Sequence, residues 1–309
     1  MQSIWPLRSF LFVPAHRNTW VSKAIRSHPD AVVLDLEDSV PEDQQGIARQ
    51  HLAQEIEELA DHGVAPFVRI HSWGQQSADE IAAIVHPGLA GVFLPKASAP
   101  AEVAGLHDLL SYHEGRRGMP HGAIAIMPLP ETAEGLQRAE LLARASSRVR
   151  GIVGTVSGPV SADVAEAFGF RATLGGVEQY YMNSKLVLDS RAGGAAFPIA
   201  GVFGVPLDDL RAVESLLLRA RNFGYTGSPV MHPSHVAIAN AVYSPTAEEY
   251  QYFEGLLQAF SEAEAQGLGA VRYQGAMIDY AMLPRARQVV AEYRRRQSQP
   301  GGRQENFSR

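Results

Sequence analysis

The 309-residue chain contains no cysteine. That absence removes disulfides, thiolate nucleophiles and cysteine-held metal sites together, and it leaves the redox compartment unread. No stretch approaches the roughly 20 apolar residues that a membrane helix needs. The early apolar run Ser9–Val13 is too short for the core of a secretory signal. The expectation is a soluble, cytoplasmic protein that does not associate with membranes. An excess of one charge is also lacking. With 27 Lys and Arg against 33 Asp and Glu, the net charge is −6, which offers no electrostatic footprint for nucleic acid. What the chain has is apolar bulk. Its 46% hydrophobic residues are enough to bury one large core, with or without an appendage.

Short apolar runs alternate with amphipathic stretches from end to end. The runs are Ser9–Pro14, Ala31–Leu36, Pro66–Ile70, Gly91–Pro95, Ala123–Leu129, Arg150–Val156, Phe197–Val202 and Ser228–His232. They are rich in Val, Ile, Leu, Phe and Ala without alternation, the signature of strands buried on both faces of a parallel sheet. Between them lie helical patterns such as Gln45–His62, Ala99–Tyr112, Thr132–Ala145 and Leu207–Phe223. Eight such repeats predict an α/β fold of the closed (β/α)8, or TIM-barrel, type. The competing architecture is an open doubly wound sheet, but no Gly-x-Gly-x-x-Gly follows the first run. The barrel is predicted over residues 1–242 and a C-terminal helical extension over residues 243–296. The extension opens at Ser244-Pro245-Thr246 with Glu248 and Glu249 in its first turn. A polar tail over residues 297–309 is expected to be disordered.

Several of the apolar runs stop at charge. The second ends in Asp35, Glu37 and Asp38, the third in Arg69, the fourth in Lys96 and the fifth in Glu131, and Asp163 follows the sixth. In a barrel these positions surround one mouth, at the C-terminal ends of the strands. Singly, each is as well explained as a helix cap or a surface residue. As a series tied to strand ends they point to pairing with one another or with a ligand. Glu131 and Asp163 each precede a helix, where a carboxylate can simply complement the helix dipole. Together they could hold one hard cation such as magnesium, which takes one or two carboxylates and fills its octahedron with water and substrate oxygens. Arg69 carries the planar fork that suits a carboxylate or a thioester oxygen.

Six segments carry a family resemblance. They are Arg8-Ser-Phe-Leu-Phe-Val-Pro14, Val33-Leu-Asp-Leu-Glu-Asp-Ser-Val-Pro41, Phe67-Val-Arg-Ile70, Leu94-Pro-Lys96, Pro130-Glu-Thr-Ala133 and Met231-His-Pro-Ser234. In order and spacing the chain resembles the citrate lyase β-subunit-like (HpcH/HpaI aldolase/citrate lyase) family, in its acyl-CoA lyase branch. The resemblance implies a Mg2+-dependent carbon–carbon lyase. Such an enzyme cleaves or forms a 3-hydroxyacyl-CoA, such as malyl-CoA or citramalyl-CoA, by way of an acyl-CoA and a 2-oxo acid. It implies a homotrimer or a dimer of trimers. It places the metal carboxylates on Glu131 and Asp163 and the substrate-binding groups on Arg69, Lys96, Asp35, Glu37 and Asp38. Tyr273-Gln-Gly-Ala-Met-Ile-Asp279 resembles the family's C-terminal motif, which makes Asp279 the candidate catalytic base, supplied to a neighbouring subunit. On the residues alone, Asp279 reads as the cap of a helix starting near Ala281.

The sequence departs from the pattern at Ala15, His71, Ala162 and Ala200, which leaves the substrate open. A thioesterase on the same site, a coenzyme A-independent 2-oxo acid aldolase and a non-catalytic subunit are the alternative readings. The aldolases of the sister branch place a histidine base after the second strand, where this chain is acidic. Ser157-Gly158-Pro159 is not a nucleophile elbow, so an acyl-serine route has no motif behind it.

Overall fold

The computed structural model describes residues 4–297; the tail expected beyond Gln297 lies outside the described residues. Eight strands alternate with helices in the first part of the chain. The strands are β1 (Ser9–Pro14), β2 (Ala31–Asp35), β3 (Ala65–Arg69), β4 (Gly91–Leu94), β5 (Ala125–Pro128), β6 (Val153–Ser157), β7 (Ile199–Phe203) and β8 (Ser228–Val230). The helices that follow them are α1 (Val21–Arg26), α2 (Gln45–Asp61), α3 (Ser77–Ile84), α4 (Pro100–Arg116), α5 (Ala133–Gln137), α6 (Ala139–Arg144), α7 (Asp163–Phe168), α8 (Tyr180–Ala192), α9 (Leu210–Phe223) and α10 (Pro233–Val242). Among the described residues, no helix is long and apolar enough to cross a membrane.

The sheet is parallel and curled. Six strands run in the order β5-β4-β3-β2-β1-β8, and β6 pairs separately with β7. The ladders therefore do not run in one unbroken ring, unlike the expected closed barrel. Two local features account for the gaps. β8 is three residues long and holds Pro229 at its centre, which has no N–H to donate. Contact with β7 falls instead to Ala200 N–H donating to the Gly227 carbonyl at 3.2 Å and to the Ser228 hydroxyl donating to the Ala200 carbonyl. On the other side, Ile126 of β5 exchanges hydrogen bonds with Arg148 and Arg150, just before β6 begins.

Both faces of the strands are buried, as their unbroken apolar composition predicts. One cluster gathers Phe10, Val33, Phe67, Phe93, Met127, Val153 and Ile199, drawn from β1 to β7. Its centre is aromatic: the Phe10 and Phe67 rings meet edge to face at 5.3 Å and Phe67 meets Phe93 at 5.7 Å. Gly91 makes room for this group, since a Cβ there would lie 2.4 Å from the Phe67 ring. The opposite strand faces, with Leu11, Val32, Leu34, Val68 and Val92, pack with the helices in a second cluster.

The chain divides into two compact units, Met1–Tyr243 and Ser244–Arg309. The second unit opens with α11 (Ala247–Ala265) and ends with α12 (Leu283–Gln297). Thr246 and Glu249 close a reciprocal capping box at the start of α11. The unit is not wholly helical as expected. An antiparallel hairpin, β9 (Ala270–Tyr273) and β10 (Ala276–Asp279), separates the helices. Gln274 and Gly275 turn it with φ of +46° and +88°, as a tight hairpin requires. Leu256, Phe260, Ile278, Leu283 and Ala286 form this unit's own core.

One buried group makes the fold sensitive to pH. Glu55, on the inward face of α2, has both carboxylate oxygens buried without a hydrogen-bond partner. Burial first, and then the charge of Glu58, push its carboxyl up to about 7. The folded chain therefore holds this proton more tightly than the unfolded chain does. The contribution is complete below the unfolded value near 4.5 and is lost as pH rises through about 7. Over that window the loss is on the order of 3 kcal/mol. Glu55→Gln is expected to gain about 5 °C in Tm relative to the parent between pH 5 and pH 8, using roughly 2 °C per kcal/mol for a chain of this size. Thermal unfolding of both proteins at the two pH values checks it; a difference that does not change with pH contradicts it.

Candidate active site

The register of β2 and β3 sets the site. Asp35 and Arg69 are the last residues of their strands and stand side by side in the ladder. The Arg69 guanidinium grips Asp35 with both edges: Nε donates to Oδ1 at 2.6 Å and Nη2 to Oδ2 at 2.7 Å. Its Nη1 lies 3.0 Å from Glu37 Oε2 and 3.3 Å from Asp38 Oδ2. The guanidinium also stacks over the Phe12 ring, 5.2 Å from its centroid. Asp35 is 1% exposed and accepts further bonds from the Ser39 hydroxyl and from the Ser39 and Glu37 amides. Burial works against its charge, but the Arg69 fork and these donors outweigh it and hold the carboxyl below the usual carboxylate range. Asp35 is thus enclosed and occupied, whereas Asp38 faces solvent.

Lys96 follows β4 with φ of +51°, a left-handed conformation uncommon for any residue but glycine. The turn aims the Lys96 amide at Glu131 Oε2, 3.4 Å away. Its ammonium lies 3.3 Å from Glu37 Oε1, 3.9 Å from Asp38 Oδ1 and 3.6 Å from Asp163 Oδ2. Glu37 is itself raised by burial and by the charge of Asp38. Glu131 is pushed up to about 7, first by burial and then by the charges of Glu37 and Asp163, against the pull of Arg69.

All the acids and bases expected at the strand ends therefore converge; the remaining candidate is Asp279. That residue belongs to the second unit, at the end of β10, where its Oδ1 accepts the Ala281 amide at 2.9 Å. Glu131 and Asp163 line one cavity. Among the described residues, no group of three or more His, Asp or Glu is disposed to hold a metal. The pair nonetheless suits a hard divalent cation. Both donors are oxygen, and the burial and then the neighbouring negative charges that push Glu131 up to about 7 are what such an ion would offset. Water and substrate oxygens would complete its shell.

Some residues of the site were not singled out from sequence. Phe12 has the same strand parity as Phe10, and that spacing places both on one face. Ser39 lies within the same acidic motif as Asp35, four residues on. His71 was noted only as a departure. Its Nδ1 lies 2.5 Å from Oε1 of Glu80, a carboxylate 1% exposed, and its Nε2 lies 3.1 Å from the Gln45 amide. No local pattern links three residues on separate elements. His232 caps α10, its Nδ1 accepting the Ser234 amide at 3.3 Å.

Removing one partner of a buried ion pair leaves the other uncompensated. Asp35→Asn is therefore expected to cost about 3–5 kcal/mol in unfolding free energy. Urea unfolding measures it, and a cost below about 1 kcal/mol would mean that the fork contributes little.

Comparison with known proteins places this arrangement. Residues 8–233 match the family model for HpcH/HpaI aldolase/citrate lyase. The citrate lyase subunit beta-like protein of Deinococcus radiodurans is 29% identical, over 92% of this chain and 96% of its own length. The mitochondrial citramalyl-CoA lyase of Rattus norvegicus is 28% identical, over 92% of this chain and 85% of its own. A solved citrate lyase beta subunit of Mycobacterium tuberculosis, complexed with oxaloacetate and magnesium, is similar in fold with a TM-score of 0.60 at 25% identity. That match covers 79% of this chain and 100% of the solved one. The family match takes in every strand of the sheet from β1 to β8, and the chain is a member of the HpcH/HpaI aldolase/citrate lyase family.

Proposed function

We propose that the chain is a Mg2+-dependent carbon–carbon lyase that cleaves or forms a 3-hydroxyacyl-CoA, with an acyl-CoA and a 2-oxo acid as the other partners. The observation that carries the reading is the pair Glu131 and Asp163 on one cavity, beside the Arg69 and Lys96 cations. The citramalyl-CoA lyase relative supports the thioester. The magnesium and oxaloacetate of the solved citrate lyase subunit support the metal and the 2-oxo acid.

A bound divalent ion would lower the pKa of a substrate hydroxyl and neutralise a substrate carboxylate. The protein supplies the rest. Arg69, fixed by Asp35 and by Phe12, presents its unshared N–H groups to the thioester enolate oxygen, where negative charge develops as the carbon–carbon bond breaks. Asp35 acts through Arg69 and positions it. Glu37 and Asp38 hold Arg69 and Lys96 in place, and Lys96 offsets the charge of a carboxylate substrate. Asp279 is the proposed base. It accepts the hydroxyl proton in cleavage and takes the α-proton of the acyl-CoA in synthesis.

The reading includes a closed eight-stranded barrel. The β5–β6 and β7–β8 hydrogen bonds and the single cluster shared by seven strands support it. It also includes a homo-oligomer, a trimer or a dimer of trimers, in which Asp279 serves a neighbouring subunit. The apolar stripe formed by Val177 before α8 and by Tyr181 and Leu188 on it supports self-association, being 71%, 71% and 67% exposed.

The test combines acetyl-CoA or propionyl-CoA with a series of 2-oxo acids, with and without Mg2+, and follows the CoA thioesters by mass spectrometry. Metal-dependent condensation is expected. Glu131→Gln and Asp279→Asn are each expected to lower it by about 10²–10³-fold, and mixing the two inactive variants is expected to restore part of the activity. Full activity in Glu131→Gln refutes the metal pair. Mixed variants that stay inactive refute the shared site.

A further inference from the structure

Three side chains near the end of β3 take no part in the proposed reaction. Glu80, in the first turn of α3, is 1% exposed. Both its oxygens turn to His71, two residues past Arg69. Oε2 accepts the His71 amide at 3.1 Å, and Oε1 lies 2.5 Å from Nδ1. A buried carboxylate is stable when its oxygens meet donors, so the ring hydrogen sits on Nδ1 and Nε2 is the acceptor. Nε2 takes the Gln45 side-chain amide at 3.1 Å. The ring thus bridges the starts of α3 and α2 across the end of β3.

The start of α2 has little else to hold it. Neither the 3-10 turn Glu42–Gln44 nor α2 has a side-chain cap, and Ala48 is the first buried residue of the helix. Among the described residues, the contact with His71 is the one side-chain hydrogen bond that ties residues 41–47 to another element. A series of short turns runs back from there to the site. The Gln44 amide donates to the Pro41 carbonyl at 2.8 Å, and the Val40 amide to the Glu37 carbonyl at 3.0 Å. Ser39 donates to Asp35. Within these turns, Glu37 and Asp38 hold Arg69 Nη1 and the Lys96 ammonium. A shift at Gln45 is therefore passed along contiguous bonds to the carboxylates that aim Arg69.

We infer that His71 is a positioning residue. Held by Glu80, it fixes Gln45 and with it the acidic loop after β2, so that Glu37 and Asp38 direct Arg69 and Lys96. The role needs no proton transfer. With the ring charged, the Gln45 amide turned about presents its oxygen to the same nitrogen, and the contact persists. The assignment rests on the lyase reading for the chemistry that Arg69 serves, but not for the geometry of the loop.

His71→Asn separates the two contacts. The asparagine amide places a donor where Nδ1 stands, so Glu80 stays paired, and it is too short to reach Gln45. Its Tm is expected to stay within about 2 °C of the parent. In the Mg2+-dependent condensation, His71→Asn and Gln45→Ala are each expected to lower kcat about tenfold. KM for the acyl-CoA is expected to stay within about twofold, because the contact acts on charge that develops in the transition state. The double variant is expected to be no slower than either single one, and the pH profile of kcat to keep its shape in His71→Asn. Hydrogen exchange at the Val40 and Gln44 amides, which needs no turnover, is expected to quicken about fivefold in both single variants. Unchanged exchange, unchanged kcat, or losses that multiply in the double variant would overturn the assignment. So would a limb of the pH profile that disappears in His71→Asn, which would make the ring a proton-transfer group. Faster exchange in the variants of a parent chain that carries out no condensation would remove the lyase reading and keep His71 as the residue that sets the loop.

Discussion

Negative charge gathered at one end of a parallel sheet is the constraint that organises this protein. Asp35, Glu37, Asp38, Glu131 and Asp163 crowd around two cations, Arg69 and Lys96. Coulomb repulsion between carboxylates a few ångströms apart is strong where water is excluded. The chain meets it in three ways. Asp35 is neutralised outright by a two-edged fork. Glu37 and Asp38 share what remains of Arg69 and Lys96. Glu131 has only a long amide contact and retreats toward its neutral form. That uncompensated acid, next to Asp163, is where the proposed divalent ion would add positive charge.

Arg69 links the scaffold to the chemistry. Its position is over-determined by the strand register, the Asp35 fork and the Phe12 ring. A guanidinium held this way has little side-chain entropy left to lose when it meets a developing oxyanion. The cost is that much of its charge is already spoken for. Arg69 therefore contributes direction more than net charge, and the excess positive charge that a carboxylate-bearing substrate needs must come from elsewhere. A divalent ion on Glu131 and Asp163 supplies it in the proposed reaction.

The alternation of elements was legible because buried parallel strands leave uninterrupted apolar runs. The strand-end acids were legible because charge at the end of such a run is conspicuous. Edges were less so. The run Ser228–His232 ends as a strand at Val230, since His232 turns to cap α10. Thr132–Ala145 splits at Arg138 into two short helices, three residues after Gly135. The hairpin at Ala270–Asp279 was missed because it spans two four-residue strands, too short for a period to register. The Gln45–His71–Glu80 contact could not be read at all, because it joins side chains through tertiary packing.

Asp279 shows how far local reasoning and family resemblance can diverge on one residue. Locally it is a cap: its side chain takes the Ala281 amide at the turn into α12. A carboxylate in that role is held in one rotamer by a single amide, with its second oxygen free for another partner. Capping and proton transfer are therefore compatible, since the bond that fixes the side chain also orients the unused oxygen. The two roles predict different responses to the same change. A cap lost to asparagine is largely replaced by the asparagine oxygen, because both residues cap well, whereas a base lost to asparagine is not replaced at all. Stability retained and turnover lost in Asp279→Asn would assign this carboxylate to chemistry, and the reverse would leave it a structural cap.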